Sequence, residues 1–430
     1  MITAEIIAVG SELLLGGRTD TNSVFLAELL AEQGIEVRFK TVVGDEIDDM
    51  CGALTVASKR ATIVLVTGGL GPTVDDLTRE AVAKVTGKSL GLRSHALRSI
   101  KARFQLAGRT VSENQRRQAF LPSGSYLLRN SAGTAPGFFL QWKRCQIFCL
   151  PGVSHEARRM FTESVLPILI KKEYVGLPIE IRTLHTFGLI EGVIDERIKG
   201  MVPASSGIRL GMLASPLGVS ISLTMNHGLS VVKGKASKND ENKNKALLEL
   251  YVDEISRKLV SSVYGFDDQT MEEIIGEHLT AKGLILALAE SCTGGLIGHR
   301  LTQVPGSSAY VDRGVVCYSN QAKMELLGVS ERLLMKHGAV SAQVAKAMAM
   351  GIRERSAVDL GLSVTGIAGP GGGTVTKPVG LVYVGLATPK KTFTKEFRFH
   401  GDRNMVKLRS SQGALDVLRR WLVGLPISEK

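Results

Sequence analysis

Serine, tyrosine and lysine residues gather in one short stretch of the C-terminal third, VPGSSAYVDRGVVCYSNQAK (304–323). A serine hydroxyl becomes a useful nucleophile only when a base removes its proton, and a lysine can be that base if burial or neighbouring cations lower its pKa. The stretch therefore predicts serine–lysine chemistry with Lys323 as the base. Spacing alone leaves Ser307, Ser308 and Ser319 as candidate nucleophiles. It also allows a plain alternative, in which Lys323 is solvated on a helix surface and the serines form a turn or a helix cap.

The segment AESCTGG (289–295) joins a predicted buried strand to a helix through glycines and small hydroxylated residues. Because the first turn of a helix presents free backbone N–H groups, we expect this segment to receive a phosphate. Cys292 is a rival nucleophile, since a thiolate at a helix N-terminus has a lowered pKa, but it could equally be a small buried residue. A further glycine loop follows a strand at 364–373, and Arg403, a bidentate donor for phosphate or carboxylate, stands at a helix start.

A second candidate site lies near the N-terminus, in TGGLGPTVDDLTRE (67–80). Glycines between a strand and a helix favour an anion, typically phosphate. Asp75 and Asp76 follow, where carboxylate oxygens would suit a hard cation that bridges phosphates. The alternative is that the glycines form only a tight turn and one aspartate caps the helix. The loops NSAGTAPG (130–137) and LPGVSHE (150–156) are weaker signals of the same kind.

These residues follow strands in two regions where strands and helices alternate. In the first, apolar runs at 6–9, 37–43, 63–66 and 146–150 predict strands, and helices are predicted from Asn22, as a cap, to Gly34 and from Asp75 to Val85. The alternation resumes after Met271, with strands at 285–290, 314–319, 362–366, 380–388 and 393–399. It is the pattern expected of parallel sheets covered by helices.

The sequence between these two regions has a different texture. Residues 218–224 alternate as a strand would, and the charge-rich run KGKASKNDENKNK (233–245) predicts a solvated loop or a helix start rather than a nucleic-acid arm. We therefore predict the fold class α/β, with two three-layer α/β domains at 1–172 and 266–430 joined by a small α+β module at 173–265.

Composition narrows the function classes. The 430 residues are 44% hydrophobic but only 5% aromatic, which argues against a sugar-binding or base-stacking surface. A net charge of +12 attracts phosphates of any kind. Five cysteines without a C-x-x-C pair indicate neither structural zinc nor a disulfide framework, and no apolar run has the 18 or so residues of a membrane span. We expect a cytoplasmic protein without a targeting segment.

The N-terminal motifs GSELLLG (10–16), TGGLGPTVDDLTREA (67–81), GTAPG (133–137) and LPGVSHE resemble the molybdopterin-binding domain as it is carried by the CinA (competence-damage) family. The resemblance implies a phosphorylated ligand and, in some members, metal-dependent hydrolysis of the pyrophosphate of ADP-ribose. Transferred by position, it implies ligand contacts from Ser11, Glu12, Thr67, Gly68, Gly69, Gly71, Thr73, Gly133, Thr134 and Glu156, and a divalent metal, Mg or Co, at Asp75 and Asp76. The middle module, with HTFGLIEG, resembles the KH-type linker of the same family.

The C-terminal motifs resemble the nicotinamide-nucleotide amidase domain of that family. They are AESCTGG, GSSAY (306–310), YSNQAK (318–323), HGAVS (337–341), TGIAGPGGG (365–373), KPVG (377–380) and GDR (401–403). The resemblance implies hydrolysis of the carboxamide of nicotinamide mononucleotide to nicotinate mononucleotide and ammonia, without a cofactor. It implies Ser308 as nucleophile, Lys323 as base and Tyr318 as a proton relay, and substrate contacts from Ser291, Thr293, Gly294, Thr365, Gly366 and Arg403. Backbone N–H groups of the 306–308 turn are expected to hold the oxyanion.

Two other classes of function remain open. The chain could bind a nucleotide or a pterin as a regulatory module without turnover. A nucleic-acid-associated role is disfavoured, because a KH module normally grips the backbone with a G-x-x-G loop and none occurs between Ile179 and Tyr264. The family resemblance implies a homodimer that binds nicotinamide mononucleotide and ADP-ribose and no membrane.

Overall fold

The computed structural model describes residues 2–106, 108–225 and 238–427, and the side chains within these ranges except those of 238–241. Part of the charge-rich run, residues 233–237, lies outside the described residues, and a helix begins at Lys238. The chain forms two compact units. One contains the residues up to Glu180 together with Met225–Ala246, and the other contains Ile181–Thr224 and the residues from Leu247, so most of the middle module groups with the C-terminal domain.

The N-terminal domain is built on one six-stranded sheet with helices on both faces. Its elements are β1 (Thr3–Val9), α1 (Ser11–Leu14), α2 (Asn22–Glu32), β2 (Glu36–Val43), α3 (Ile47–Arg60), β3 (Ile63–Thr67), α4 (Thr78–Thr86), β4 (Leu90–Leu92), α5 (Ser94–Leu106), α6 (Glu113–Arg117), β5 (Phe120–Pro122), β6 (Tyr126–Leu128), β7 (Gly137–Trp142), β8 (Cys145–Leu150), α7 (Ser154–Met160) and α8 (Leu166–Lys171), the last two joined by a π-helical turn at Phe161–Val165. The sheet order is β2-β1-β3-β8-β7-β6, and β4 pairs separately with β5.

Two hydrophobic clusters on opposite faces of this sheet make the domain three-layered. Ile6 of β1 packs with α2 on one face, whereas its neighbour Ile7 packs with α3 on the other. This alternation is the period-two pattern of a strand covered on both sides. The predicted parallel sheet is correct for β1, β2, β3 and β8, but β7 and β6 are antiparallel additions.

The middle module has the order strand, helix, strand, strand, helix, strand. Its elements are β9 (Glu180–Thr186), α9 (Glu191–Ile198), β10 (Ile208–Ser215), β11 (Gly218–Met225), α10 (Lys238–Lys258) and β12 (Val263–Phe266), and the sheet order is β10-β11-β9-β12. This is the split β-α-β arrangement of a small α+β module. The KH-type character of the module stays a prediction.

The C-terminal domain repeats the three-layer design on a five-stranded sheet. Its elements are α11 (Met271–Lys282), β13 (Leu286–Glu290), α12 (Leu296–Thr302), β14 (Val311–Val316), α13 (Asn320–Leu327), α14 (Glu331–His337), α15 (Ala342–Ser356), β15 (Leu360–Gly366), β16 (Leu381–Ala387), β17 (Thr392–Arg398) and α16 (Arg403–Leu422), with the order β14-β13-β15-β16-β17. Leu286 and Leu288 pack with α11 and α16, and Ala287 and Ala289 pack with α13 to α15. The fold class is therefore α/β, as predicted.

Only three strands of this second sheet are parallel. β13 pairs in parallel with β14 and β15, whereas β16 and β17 run antiparallel. Because no helix separates β15 from β16, the chain has no crossover connection there and must return in the opposite direction.

In the parts of the chain that the structure describes, no helix combines the length and the apolar character needed to cross a bilayer.

Candidate active sites

Lys323 lies inside the C-terminal domain with only 1% of the residue exposed. Its Nζ is 3.1 Å from the hydroxyl oxygen of Ser291, and it donates to the carbonyl oxygens of Cys317 (2.8 Å) and Tyr318 (3.1 Å). Burial lowers the pKa of Lys323, because an ammonium group loses its hydration there. The alternative of a solvated surface lysine is therefore wrong, and the hydroxyl that Lys323 contacts belongs to Ser291.

The sheet explains why these two residues meet. Ser291 directly follows β13 and Cys317 directly follows β14, and these parallel neighbours end at the same edge. The backbone N–H of Ser291 donates to Val364 of β15 (3.0 Å), which fixes the serine on that edge. Ser319 caps α13 by accepting from Ala322 (3.0 Å), and Lys323 then follows one turn into the helix.

Ser308, the predicted nucleophile, lies at the opposite edge of the sheet. It belongs to a single 3-10 turn, Ser307–Ala309, that precedes β14, and the next residue, Tyr310, accepts from Leu286 at the start of β13. The five residues of β13 separate the two edges by roughly 16 Å. The structure does not bring Ser308 to Lys323, nor the predicted oxyanion turn at 306–308 to Ser291.

The N-terminus of α12, predicted to receive a phosphate, is occupied by the protein's own carboxylate. Glu290 is 2% exposed, and its side chain accepts from the backbone of Gly295 (3.0 Å), Ile297 (3.1 Å) and Gly298 (2.8 Å). It also accepts from the hydroxyl of Thr293 (2.7 Å). These donors are therefore unavailable to a phosphate, and Glu290 instead holds the turn that presents Ser291.

Tyr318 and Arg403 meet at the same edge as Ser291. The Arg403 guanidinium donates to the Tyr318 hydroxyl (2.8 Å) and to the carbonyl of Gly369 (2.7 Å). Arg403 begins α16, and Asp402 is the N-cap of that helix. A positive charge and a phenol thus border the position of Ser291 and Lys323.

The other predicted substrate contacts of this domain are engaged within the protein. Thr365 is 1% exposed and donates its hydroxyl to Ala339 (2.9 Å). A Cβ on Gly366 would lie 2.7 Å from Val382, so this glycine permits close strand packing. Gly294 has a φ of 65°, in the left-handed region, and turns the chain before α12.

Cys292 does not have the properties of a nucleophile. The residue is 4% exposed, and burial raises the pKa of its thiol to about 12. A neutral thiol is a poor nucleophile, so the geometry favours the interpretation as a small buried residue. All five cysteines of the chain are unpaired.

The N-terminal domain has a cavity of about 870 Å³ where β1, β3 and β8 end. It is lined by the glycine loop, by both aspartates and by residues of the two weaker loops: Val9, Gly10, Glu12, Arg18, Asp45, Gly68, Gly69, Leu70, Gly71, Pro72, Thr73, Asp75, Asp76, Gln118, Thr134, Ala135, Pro151, Gly152, Val153, Ser154, His155 and Glu156. Nine of the twelve residues predicted for ligand and metal binding line this cavity. Ser11, Thr67 and Gly133 do not, although Gly133 adjoins Glu156 of the lining.

Two of the predicted contacts are structural. Thr67 is 2% exposed, accepts from Asn22 (2.9 Å) and donates to Pro151 (3.1 Å). Ser11 exchanges hydrogen bonds with Asp45, at 2.8 and 3.0 Å. Asn22, predicted as a helix cap, makes no cap bond; its amide also donates to Gly152 (2.7 Å) and so ties the ends of β3 and β8 together.

The glycine loop is held by hydrogen bonds from Arg79, a residue that the sequence did not single out. Arg79 is 1% exposed and donates to the carbonyls of Leu70 (2.7 Å), Gly71 (3.2 Å) and Asp76 (3.3 Å). Burial lowers the pKa of its guanidinium. Thr78 adds a bond to Gly68 (2.9 Å). The sequence places Arg79 in the helix that follows the glycine loop but gives no signal that it is buried.

Asp75 and Asp76 precede α4 instead of capping it, since the N-cap is Leu77 and has no side-chain bond. Asp76 accepts from the backbone of Thr73 (2.8 Å) and from its hydroxyl, and a bond from Thr73 lowers the pKa of the exposed Asp75. Within residues 2–106, 108–225 and 238–427, no three His, Cys, Asp or Glu side chains form a metal-binding group. Two carboxylates nevertheless fit Mg²⁺, which commonly uses one or two together with substrate phosphates and water.

Glu156 lies in the first turn of α7, as predicted, and faces the loop at 130–137. Its carboxylate accepts from the side-chain NH₂ group of Asn130 (2.7 Å). The side-chain carbonyl of Asn130 accepts in turn from the backbone N–H groups of Ala132 (3.0 Å) and Gly133 (2.6 Å). A Cβ on Gly133 would collide with the Glu156 carboxylate. Thr134 lines the cavity beside this pair.

Comparison with known proteins covers both large domains. The family described as "CinA C-terminal domain" matches residues 268–422, and the family described as "Probable molybdopterin binding domain" matches residues 5–171. The chain is 43% identical over 422 residues to a "Putative competence-damage inducible protein" of Caldicellulosiruptor bescii, covering 98% of this chain and 100% of that protein. It is 42% identical to the protein of the same description from Halothermothrix orenii, covering 97% and 98% of the two chains.

Among solved structures, the competence/damage inducible protein CihA from Agrobacterium tumefaciens is 42% identical, with 35% of this chain and 94% of that chain covered and a TM-score of 0.34. The full-length identity to the first two relatives decides the assignment. The chain belongs to the CinA family of competence-damage inducible proteins, with a molybdopterin-binding-type domain at its N-terminus.

Proposed function

We propose that the C-terminal domain is an amidase that hydrolyses the carboxamide of nicotinamide mononucleotide, with Ser291 as nucleophile and Lys323 as base. The observation that carries the proposal is the buried contact of 3.1 Å between Lys323 Nζ and Ser291 Oγ. The substrate is the one implied by the family resemblance.

The surroundings of Lys323 suit a neutral amine. Such an amine has two N–H groups, and the carbonyls of Cys317 and Tyr318 can accept both. Its lone pair then faces Ser291, whose hydroxyl becomes the donor. The lowered pKa of Lys323 makes this state more accessible at neutral pH.

The reaction would proceed through an ester on Ser291. The serine oxygen attacks the carboxamide carbon while its proton passes to Lys323, and a tetrahedral oxyanion forms. Lys323 then returns the proton to the leaving nitrogen, and ammonia departs. Water attacks the ester with Lys323 again as base, which releases nicotinate mononucleotide and restores Ser291. Arg403, beside Tyr318, supplies the positive charge for an anionic substrate.

Ammonia release from nicotinamide mononucleotide tests this assignment in three variants. Ser291→Ala and Lys323→Met should each lower kcat by about 10³-fold or more, since either removes the nucleophilic unit. Ser308→Ala is the matched control, a serine of the predicted motif at the opposite edge, and should retain wild-type activity within about twofold. Loss of activity in Ser308→Ala with retention in Ser291→Ala would overturn the assignment.

We propose a second activity for the N-terminal cavity, the metal-dependent hydrolysis of the pyrophosphate of ADP-ribose. The supporting observation is a cavity of about 870 Å³ that combines a glycine loop with the carboxylates of Asp75 and Asp76. Bound there, a divalent metal would neutralise phosphate charge and activate water. The glycine loop would orient the phosphates, and Arg79 would keep that loop in place.

Formation of AMP from ADP-ribose with Mg²⁺ or Co²⁺ tests this activity. Asp75→Asn should abolish the formation of AMP, because it removes one of the two carboxylates that would hold the metal. Asp75 is exposed, so we expect little effect of this substitution on folding. Ser291→Ala, which alters the other domain, is the control and should leave it unchanged. Tight ADP-ribose binding without product would favour the alternative of a regulatory binding module.

A further inference from the structure

A buried amide in the wall of the N-terminal cavity is not accounted for by the fold. Gln118 follows α6, is 1% exposed and lines the cavity. Its side-chain carbonyl oxygen has no hydrogen-bond partner. A buried acceptor without a donor costs free energy, and native proteins leave few of them.

Neither the predicted motifs nor the proposed chemistry uses this residue. Its cavity wall holds donors such as Arg18, Thr134 and Ser154 besides the acceptors Asp75 and Asp76, but none of them hydrogen-bonds to the Gln118 carbonyl. A phosphate is also an acceptor. A ligand that occupies the cavity can therefore complete Gln118 only with a hydroxyl or amino donor.

Resting on the proposed N-terminal function, we propose that Gln118 determines ligand specificity by accepting a hydrogen bond from a ribose hydroxyl or base amino group of the bound nucleotide. Phosphate contacts from the glycine loop would contribute affinity but would not distinguish one phosphorylated ligand from another. Gln118 would distinguish a nucleotide from an inorganic phosphate or pyrophosphate, because a site with an unpaired buried acceptor discriminates against ligands that lack the donor.

Gln146 provides a matched control within the same domain. It is 2% exposed, and its side-chain carbonyl is likewise unpartnered. It stands at the start of β8, paired with Ile63, whereas the cavity lies beyond the other end of that strand. Replacing either glutamine by methionine, a side chain of similar volume, removes a buried unpaired acceptor. Of the two glutamines, however, only Gln118 lines the cavity proposed to bind the ligand.

Calorimetric titration of the full chain with ADP-ribose, ribose 5-phosphate and pyrophosphate tests the proposal. We expect Gln118→Met to weaken ADP-ribose binding about tenfold and to leave pyrophosphate binding unchanged. The control Gln146→Met should bind like the wild type, and the two variants should have the same thermal midpoint of unfolding. A parallel loss for ribose 5-phosphate identifies a hydroxyl as the donor, and its absence identifies the base amino group. Gln118→Asn, which withdraws the amide by one methylene, should show the same selectivity if Gln118→Met folds poorly.

Two results would count against the inference in distinguishable ways. Unchanged ADP-ribose binding in both Gln118 variants, or an equal loss for pyrophosphate, overturns the role of Gln118 while leaving the site intact. Failure of the wild type to bind ADP-ribose removes the proposed N-terminal function and the inference with it.

Discussion

The carboxylate of Glu290 provides the sharpest test of how the C-terminal site is built. It accepts four hydrogen bonds, three on one oxygen and that of Gly298 on the other. In Glu290→Gln, the amide oxygen can keep the first three, but the NH₂ group then faces the N–H of Gly298. The N–H of Gly298 loses its acceptor, and the negative charge at the start of α12 is lost.

The expected cost follows from these two changes. A donor that loses its acceptor costs about 2 kcal/mol, and a charge at a helix N-terminus contributes about 1 kcal/mol. We therefore expect Glu290→Gln to lower the free energy of unfolding by about 3 kcal/mol, which for a domain of this size is a fall in Tm of about 6–12 °C. Because Ser291 follows directly, kcat for amide hydrolysis should fall at least about tenfold.

Calorimetric unfolding and ammonia release measure the two effects in one preparation. Glu331→Gln, at the exposed first turn of α14, is the control and should change stability by less than about 0.5 kcal/mol. The reasoning is refuted if Glu290→Gln keeps wild-type stability and lowers KM for the nucleotide. That result would mean that the start of α12 receives the substrate phosphate and that Glu290 merely competes for it.

Three further predictions concern single residues. The kcat/KM for ammonia release should rise with pH through an ionisation whose pKa lies below the usual lysine value of about 10.4, because Lys323 acts when neutral and burial lowers its pKa. A flat pH profile contradicts this prediction. Lys323→Arg should be inactive at every pH. Iodoacetamide at neutral pH should leave amidase activity intact and Cys292 unmodified by mass spectrometry, because burial raises the pKa of this thiol to about 12; rapid inactivation with label on Cys292 contradicts it. Arg79→Met should lower the free energy of unfolding by about 3 kcal/mol, since it leaves loop carbonyls unpaired; unchanged thermal unfolding contradicts that.

The sequence predicted the elements whose apolar pattern is regular. The strands β1, β3 and β13 lie close to their expected positions because a strand buried on both faces leaves a continuous apolar run in the sequence. The parallel direction expected for β16 and β17 was wrong, although the absence of a helix before β16 was visible in the sequence.

Side-chain partners were harder to predict than elements. The pattern allowed Asn22 to be a cap, whereas it bridges two strand ends, and it assigned no role to Arg79, which is buried under a loop. Both roles depend on carbonyl groups that are distant in sequence or lie in an irregular loop. Periodicity carries no information about where such groups point.

The contact between Ser291 and Lys323 could have been inferred from strand direction. Ser308 is nearer to Lys323 in sequence than Ser291 is, but spacing left Ser307, Ser308 and Ser319 open, and the family resemblance selected Ser308. However, Ser308 precedes β14, while Lys323 follows it, so the two must lie at opposite edges of any sheet that contains this strand. Ser291 follows β13, which is parallel to β14, and reaches the edge where Lys323 lies. In a parallel sheet, residues that act together are those on the same side of their strands, and this criterion outranks proximity along the chain.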